Sequence, residues 1–433
     1  MPIRTIEPLR PAHRHAQTPV VLSPAHQHYE WWYFEVELVD GDGKPFRVIT
    51  SFHFPHGMDP HRLLAHQHYK SRRVDYFARY GDNPAHFAGV ASYVVDVQAR
   101  KNIALLIARF PKADIGTRVQ VSRPGDPSVR LVFGDSSFSE NFNGTYTLRV
   151  RHRGMALVGA TPRKLAIDME VTFTPETHGF QPPGAVLLEQ GGVRHHWACV
   201  MPNPSAFVSH CVVERERAGG AMKQLLRART NVAGHGGYHD HQWGADLVYR
   251  QIARWFWGRV PTGARGGDVR PRDRVLFFDV VGTSTHPSPI LVDVPGGGGT
   301  PTALVPVPGR DPFNLNGEER INFADGCRLG IQGQDVPYPR WVNLRSQTAG
   351  GVSRNFDIEH LRSTNVDTWP FYLRFAPGVL DPHTGRTFAS VSEVPQASAA
   401  WTTSARRRCW RCSTRSHGRR VKAPPRDRSR RGG

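Results

Sequence analysis

The segment Glu30-Trp-Trp-Tyr-Phe-Glu-Val-Glu-Leu38 alternates. Trp32, Phe34, Val36 and Leu38 fall on one side of an extended chain, and Glu35 and Glu37 fall on the other. That two-residue period is the mark of a half-buried strand. Asp40-Gly-Asp-Gly43 supplies a tight turn and Phe46–Phe54 returns as a second strand, so a hairpin is predicted. Short apolar runs recur at Phe87–Val97, Ile103–Phe110, Arg118–Ser122, Val129–Phe133, Gly144–Arg151 and Leu165–Phe173. A second series follows Pro182-Pro-Gly184: His195–Val200, Ser209–Glu216, Trp255–Val260, Arg274–Thr283, Pro289–Val294, Arg328–Gln332, Arg354–His360 and Phe371–Phe375. Long amphipathic helical patterns are scarce. The expectation is an all-β fold of two tandem barrel or sandwich units, each of about 200 residues. The expected divisions are an extended lead-in at 1–22, β-units at 23–205 and 206–395, and a tail at 396–433.

Composition agrees with a folded β protein. Hydrophobic residues make up 39% and charged residues 21% of the 433, with 22 Phe, 11 Tyr and 10 Trp. The net charge of +19 invites a nucleic-acid reading, but residues 401–433 alone hold eleven Arg and one Lys against one Asp. Basicity is therefore mostly a property of the tail, and the body lacks an aromatic-interleaved basic sheet for RNA. The tail is expected to lie outside the fold, as a disordered basic segment or an out-of-frame translation. No apolar run reaches the ~18–20 residues of a membrane span, and the first residues do not read as a secretory signal. Five Cys, at 199, 211, 327, 409 and 412, are an odd, sparse set that argues for a reducing compartment. A cytoplasmic protein is expected.

Two segments could carry chemistry: Arg194-His195-His196-Trp197 and Gly237-Tyr238-His239-Asp240-His241-Gln242-Trp243-Gly244. Alternate side chains of a strand share a face. His195 and Trp197 should therefore point together, as should Tyr238 and Asp240. If both strands line one cavity, they supply an acid, an imidazole and two electron-rich rings. Burial keeps a carboxyl group protonated, and aromatic faces stabilise a cation, so the set suits protonation of an apolar substrate. Each group alone has an ordinary explanation, as a core Trp, a hairpin Tyr or a turn Asp. A metal reading competes through the pairs His239/His241, His26/His28 and His66/His68, although no third ligand accompanies them. Phosphate-loop, dinucleotide and serine-hydrolase motifs are missing.

With Glu30-Trp31-Trp32-Tyr33 and Trp255-x-Trp257-Gly258-Arg259 added, these motifs resemble the hydroxyneurosporene synthase (carotenoid 1,2-hydratase) family of lipocalin-like proteins, over about residues 20–395. The resemblance implies a tandem pair of lipocalin-like β-domains. It implies cofactor-free, metal-free addition of water to an isoprenoid alkene, with His195, Trp197, Tyr238 and Asp240 as catalytic residues. Asp240 would donate the proton, Trp197 and Tyr238 would steady the cation, and His195 would assist the water. The family's Asp-His-Asn-Trp-Gly reads Asp240-His241-Gln242-Trp243-Gly244 here, and its usual stretch after Glu393 is missing. A hydrophobic small molecule is the expected partner, with peripheral membrane contact as a route for collecting it; the oligomeric state stays open. The alternatives are a cyclase of the Diels–Alderase kind and a non-catalytic lipid-binding protein.

Overall fold

The computed structural model describes residues 2–17, 28–54, 87–111, 116–158, 161–228, 235–245, 251–262, 273–322, 335–361, 365–369, 372–375, 378–381, 386–389 and 391–395. Their regular structure is almost wholly antiparallel strand, as the alternation predicts. The expected strand Arg328–Gln332, the tail at 396–433 and His26, His66 and His68 lie outside the described residues.

The first sheet takes sixteen of the described strands. They are β1 (Glu7–Pro8), β2 (Tyr29–Val39), β3 (Pro45–His53), β4 (Phe87–Asp96), β5 (Lys101–Pro111), β6 (Val119–Val121), β7 (Arg130–Phe133), β8 (Ser136–Glu140), β9 (Tyr146–Val158), β10 (Thr161–Thr174), β11 (Phe180–Gln181), β12 (Val186–Gln190), β13 (Val193–Met201), β14 (Ser205–Glu216), β15 (Met222–Ala228) and β16 (His235–Gly244). The hairpin of β2 and β3 forms where predicted. The Asp40 carboxylate accepts from the backbone N–H groups of Asp42 and Lys44, and Gly43 takes the left-handed conformation the turn needs, with φ +78°. Pro182-Pro183-Gly184 is a turn inside this sheet, because β11 before it and β12 after it both pair with β13.

Downstream lie β17 (Ile252–Pro261), β18 (Arg274–Gly282), β19 (Ile290–Val294), β20 (Thr302–Ala303), β21 (Val305–Pro306), β22 (Phe313–Asn322), β23 (Asp335–Gln347), β24 (Ser353–Glu359), β25 (Asn365–Trp369), β26 (Tyr372–Phe375), β27 (Gly378–Asp381), β28 (Arg386–Ala389) and β29 (Val391–Pro395). Of these, β17–β20, β25, β26 and β29 form a second sheet, and β21–β24, β27 and β28 form a third. The expected boundary at 205/206 falls after the first residue of β14, within the first sheet. Sheet membership changes later, between Gly244 and Ile252, because β14, β15 and β16 all pair back into the first sheet.

Alternation decides what each face meets. Trp32, Phe34, Val36 and Leu38 of β2 join Val48, Phe52, Leu131, Phe138, Leu148, Val171 and Val208 in one cluster. Residues so far apart in sequence pack together because the first sheet curls round a core of its own. Each such fully buried side chain contributes about 1.5–3 kcal/mol. The opposite face of β2 is covered too. Trp31 and Tyr33 pack against Trp255, Trp257, Phe278 and Val292 of the second sheet. The far face of β17 and β18, with Phe256, Val260, Val275 and Phe277, packs against Val342 and Leu344 of β23 and Ile358 of β24.

The lead-in ties these layers together. Ile3 packs on the cluster between the second and third sheets, Ile6 on the one between the first and second, and Leu9 on the first sheet's own core. β1 pairs with β11, and the N–H of Ala16 reaches the carbonyl of Ser122 at 3.0 Å. Pro2 and Pro8 discourage helix here, so the segment lies extended apart from one 3-10 turn at Pro11–Arg14, and it bonds to residues flanking neighbouring strands at Leu9 and Ala16.

Candidate functional site

The site is built on β16, which lies between β13 and β2. Register fixes its composition, because directly opposed residues of an antiparallel pair share a face. On the face turned to the second sheet, the first rung holds His195, Gly244 and Tyr29. The next holds Trp197, Gln242 and Trp31, and the third holds Cys199, Asp240 and Tyr33. Tyr238 opposite Glu35 completes the fourth. β17 lies across this face and follows β2 in the same direction. Trp255 meets Trp31 with centroids 6.3 Å apart, Trp257 meets Tyr33 at 5.4 Å, and the Arg259 guanidinium meets the Glu35 carboxylate at 2.6 Å.

Asp240 is the centre of the arrangement and is 2% exposed. Trp197, one rung to one side, donates its indole N–H to Oδ2 at 3.0 Å. Tyr238, one rung to the other, donates its hydroxyl to the same oxygen at 2.8 Å. Both donors are fully buried. Burial, reinforced by the charge of Asp240, pushes the Tyr238 phenol well above its ordinary range. The Cys199 thiol is pushed up for the same two reasons, burial first. Both groups thus stay neutral beside the acid. The Trp197 ring is held edge-on by Phe180 at 5.7 Å and Phe278 at 5.4 Å.

The structure brings together three of the four residues expected to act. His195 shares their face but pairs opposite Gly244, two rungs from Cys199 and Asp240. At ~3.3 Å per residue that is about 13 Å along the strand. Its Nδ1 is hydrogen-bonded to the Tyr29 hydroxyl at 2.9 Å, and burial raises the pKa of that phenol. Gly244 makes this contact possible, since a Cβ there would come within 2.5 Å of the Tyr29 ring and 2.9 Å of His195 Nδ1.

Sequence reasoning missed the charged group beneath the acid. Glu35 Oε1 lies 2.6 Å from Arg259 Nη2 and 2.7 Å from Arg47 Nε. Arg47 also reaches Glu37 at 3.1 Å, and Arg274 reaches Glu37 at 3.5 Å. Burial would raise the Glu37 carboxyl, but Arg274, Arg47 and Arg259 outweigh it and lower it to about 2. Arg259 also donates to the carbonyl of Gly237 at 3.0 Å and lies over the Tyr238 ring, 4.6 Å from its centroid. The signal was the alternation itself. It put two Glu on one strand face, and the arginine that meets Glu35 lies more than two hundred positions downstream.

His239 and His241 take other roles. His239 Nδ1 is bonded to the Tyr33 carbonyl at 3.0 Å, and its ring stacks on Phe34. His241 faces the Glu30 carboxylate at 2.7 Å and the His13 carbonyl at 2.6 Å. Among the described residues, no group of three or more His, Cys, Asp or Glu is placed to hold a metal ion. None of the described helices is long and apolar enough to cross a membrane.

No protein-family model matches the sequence. The resemblance read from the motifs is borne out by a curated relative. The chain is 24% identical over 351 residues to hydroxyneurosporene dehydrogenase of Chlorobaculum tepidum, covering 80% of this chain and 76% of that one. Among solved structures, it is similar to CghA in complex with Sch210972, with TM-score 0.49, 12% identity and coverage of 91% of this chain and 99% of that one. It is also similar to kievitone hydratase from Nectria haematococca, with TM-score 0.44, 10% identity and coverage of 92% and 98%. Likeness at this level fixes neither a reaction nor a substrate.

Proposed function

We propose that this protein adds water to an isoprenoid alkene, with Asp240 as the general acid. The observation that carries the reading is a carboxyl group buried among aromatic rings and held at one oxygen by two neutral donors, Trp197 and Tyr238. In the acid form that the step requires, Asp240 carries its proton on Oδ1, because Oδ2 accepts from both donors. That proton passes to the less substituted alkene carbon; the O–H and π bonds break, a C–H bond forms, and a tertiary cation remains. The faces of Tyr33, Trp197 and Trp257 lower the energy of that cation, and the two donors steady the carboxylate left behind. Water then attacks the cation and returns a proton to Asp240. The return falls to Asp240 because His195 stands two rungs away. In this reading His195 is a support for Tyr29.

Similarity to a protein named for hydroxyneurosporene supports a long isoprenoid substrate. That name describes a dehydrogenation; the buried acid supports hydration. So insoluble a substrate would be collected at a membrane surface by a cytoplasmic protein. The test is product formation from acyclic carotenoids and shorter isoprenoid alkenes in heavy-oxygen water. Hydration places the label in a new tertiary hydroxyl. Asp240→Asn keeps shape and polarity but carries no transferable proton, so turnover should fall by ~10²–10⁴ with ligand affinity little changed. A cyclase working by shape would lose far less. A panel that yields no labelled alcohol while ligand binding persists would favour a binding protein.

A further inference from the structure

We propose that the ligand of this site carries an oxygen, and that the indole N–H of Trp257 recognises it. The inference rests on the reading that the face of Asp240 receives the ligand. Trp257 is 2% exposed, and its Nε1 has no hydrogen-bond partner among the described residues. A buried donor left in that state costs about 1–3 kcal/mol, and such groups in native folds call for an explanation. Packing does not supply one. Trp257 meets Tyr33 edge-on at 5.4 Å and Tyr238 at 5.1 Å, and those contacts need a ring, which Phe would also provide. Trp197, the other indole beside the acid, has an acceptor in Asp240. Trp257 is thus a donor without an acceptor, at the rung of Asp240 and against the acid's own partner Tyr238.

A pure hydrocarbon would leave this N–H unmet. A hydroxyl, ether or carbonyl oxygen would accept from it, and would fix how far along the apolar chain the alkene sits from the carboxyl group. The ligand class is therefore an oxygenated isoprenoid-like molecule rather than a bare polyene. Trp257 would be a specificity-determining residue that makes no covalent step.

The test is a binding comparison and needs no turnover. Farnesol and farnesene are titrated from detergent micelles into the full-length protein, with fluorescence quenching as the readout and each affinity corrected for micelle partition. One hydrogen bond predicts a preference for farnesol of roughly three- to tenfold in the wild-type protein. Trp257→Phe should abolish the preference by weakening farnesol alone, and Trp255→Phe, the same change one rung along, should keep it. Equal affinities in the wild-type protein, or binding of neither ligand, overturn the inference without any variant having to fold. So does a preference that survives Trp257→Phe, or one lost equally in both variants, which would assign the effect to ring volume. A normal rate of hydration in Asp240→Asn would end the hydration reading and leave this comparison standing.

Discussion

The two faces of β16 differ in how they treat polar groups. Toward the core of the first sheet, His239 is tied to a backbone carbonyl, and His241 lies between the Glu30 carboxylate and the carbonyl of His13. Trp32 stacks on His241 with centroids 4.9 Å apart, and its own indole N–H has no hydrogen-bond partner among the described residues. Each of these groups joins one strand to another or to the lead-in. Toward the second sheet, two donors converge on one oxygen of Asp240, and the indole N–H of Trp257, like that of Trp32, has no hydrogen-bond partner among the described residues. The first face spends its hydrogen bonds on connection and the second concentrates them on one reactive group. Five consecutive residues, Tyr238 to Gln242, serve both purposes because successive side chains of a strand take opposite sides.

The largest effect separates the faces by stability. Glu30→Ala leaves fully buried His241 without its carboxylate and the N–H of Gln17 without the acceptor it meets at 2.7 Å. Leaving a buried group without its hydrogen-bond partner costs about 1–3 kcal/mol, and more for a charged one. Asp240→Asn keeps an acceptor for both donors and should cost less than about 2 kcal/mol. Urea midpoints of the two variants measure the contrast. Equal losses would mean that Asp240 is a structural group like Glu30.

Acid sharpens the same comparison. Burial lowers the pKa of His239 to about 3, against an ordinary 6.5. The folded state refuses a proton that the unfolded chain accepts, so this stability is complete above pH 6.5 and is lost as the pH falls from there toward 3. Between pH 7 and pH 5, one such histidine should account for about 2 kcal/mol of lost stability. His239→Phe retains a ring for Phe34 and Phe138 and should reduce the loss over that interval by about this amount. His152 and His53 are also held at about 3 by burial and should keep the remaining slope. Unfolding curves at the two pH values measure the difference. An unchanged slope would show that His239 carries its proton in the fold.

Much of this was legible because alternation reports faces. Trp32, Phe34, Val36 and Leu38 pack together as their spacing requires, and Trp197, Tyr238 and Asp240 meet because their parity and the register agree. Parity does not report distance along a strand, so His195 looked like a neighbour of the acid and is two rungs away. Nor does it report what covers a face. Alternation put Glu35 and Glu37 on one face without naming their partners, Arg259 and Arg274 of the second sheet. The lead-in was opaque for a related reason. Residues such as Ile3, Ile6 and Leu9 are too few to show a period, and their partners lie in three different layers.

The smallest effect lies within the site face. Tyr238→Phe and Trp197→Phe each take one donor from Oδ2 and leave the other. A hydrogen bond to a charged group contributes about 1.5–3 kcal/mol, but the surviving donor still holds the oxygen. Each variant should therefore lose roughly tenfold in turnover, well short of the ~10²–10⁴ expected for Asp240→Asn. Because both bonds end on one atom, the double variant should lose more than the product of the single losses, with a coupling energy in the ~0.5–3 kcal/mol range of residues that share a partner. A double-mutant cycle on the rate of labelled-alcohol formation measures that coupling. Independent losses would mean that the two donors do not act through Asp240. A Tyr238→Phe loss as large as that of Asp240→Asn would move the transferable proton to the phenol, and the convergence on one carboxylate would then be a means of holding Tyr238.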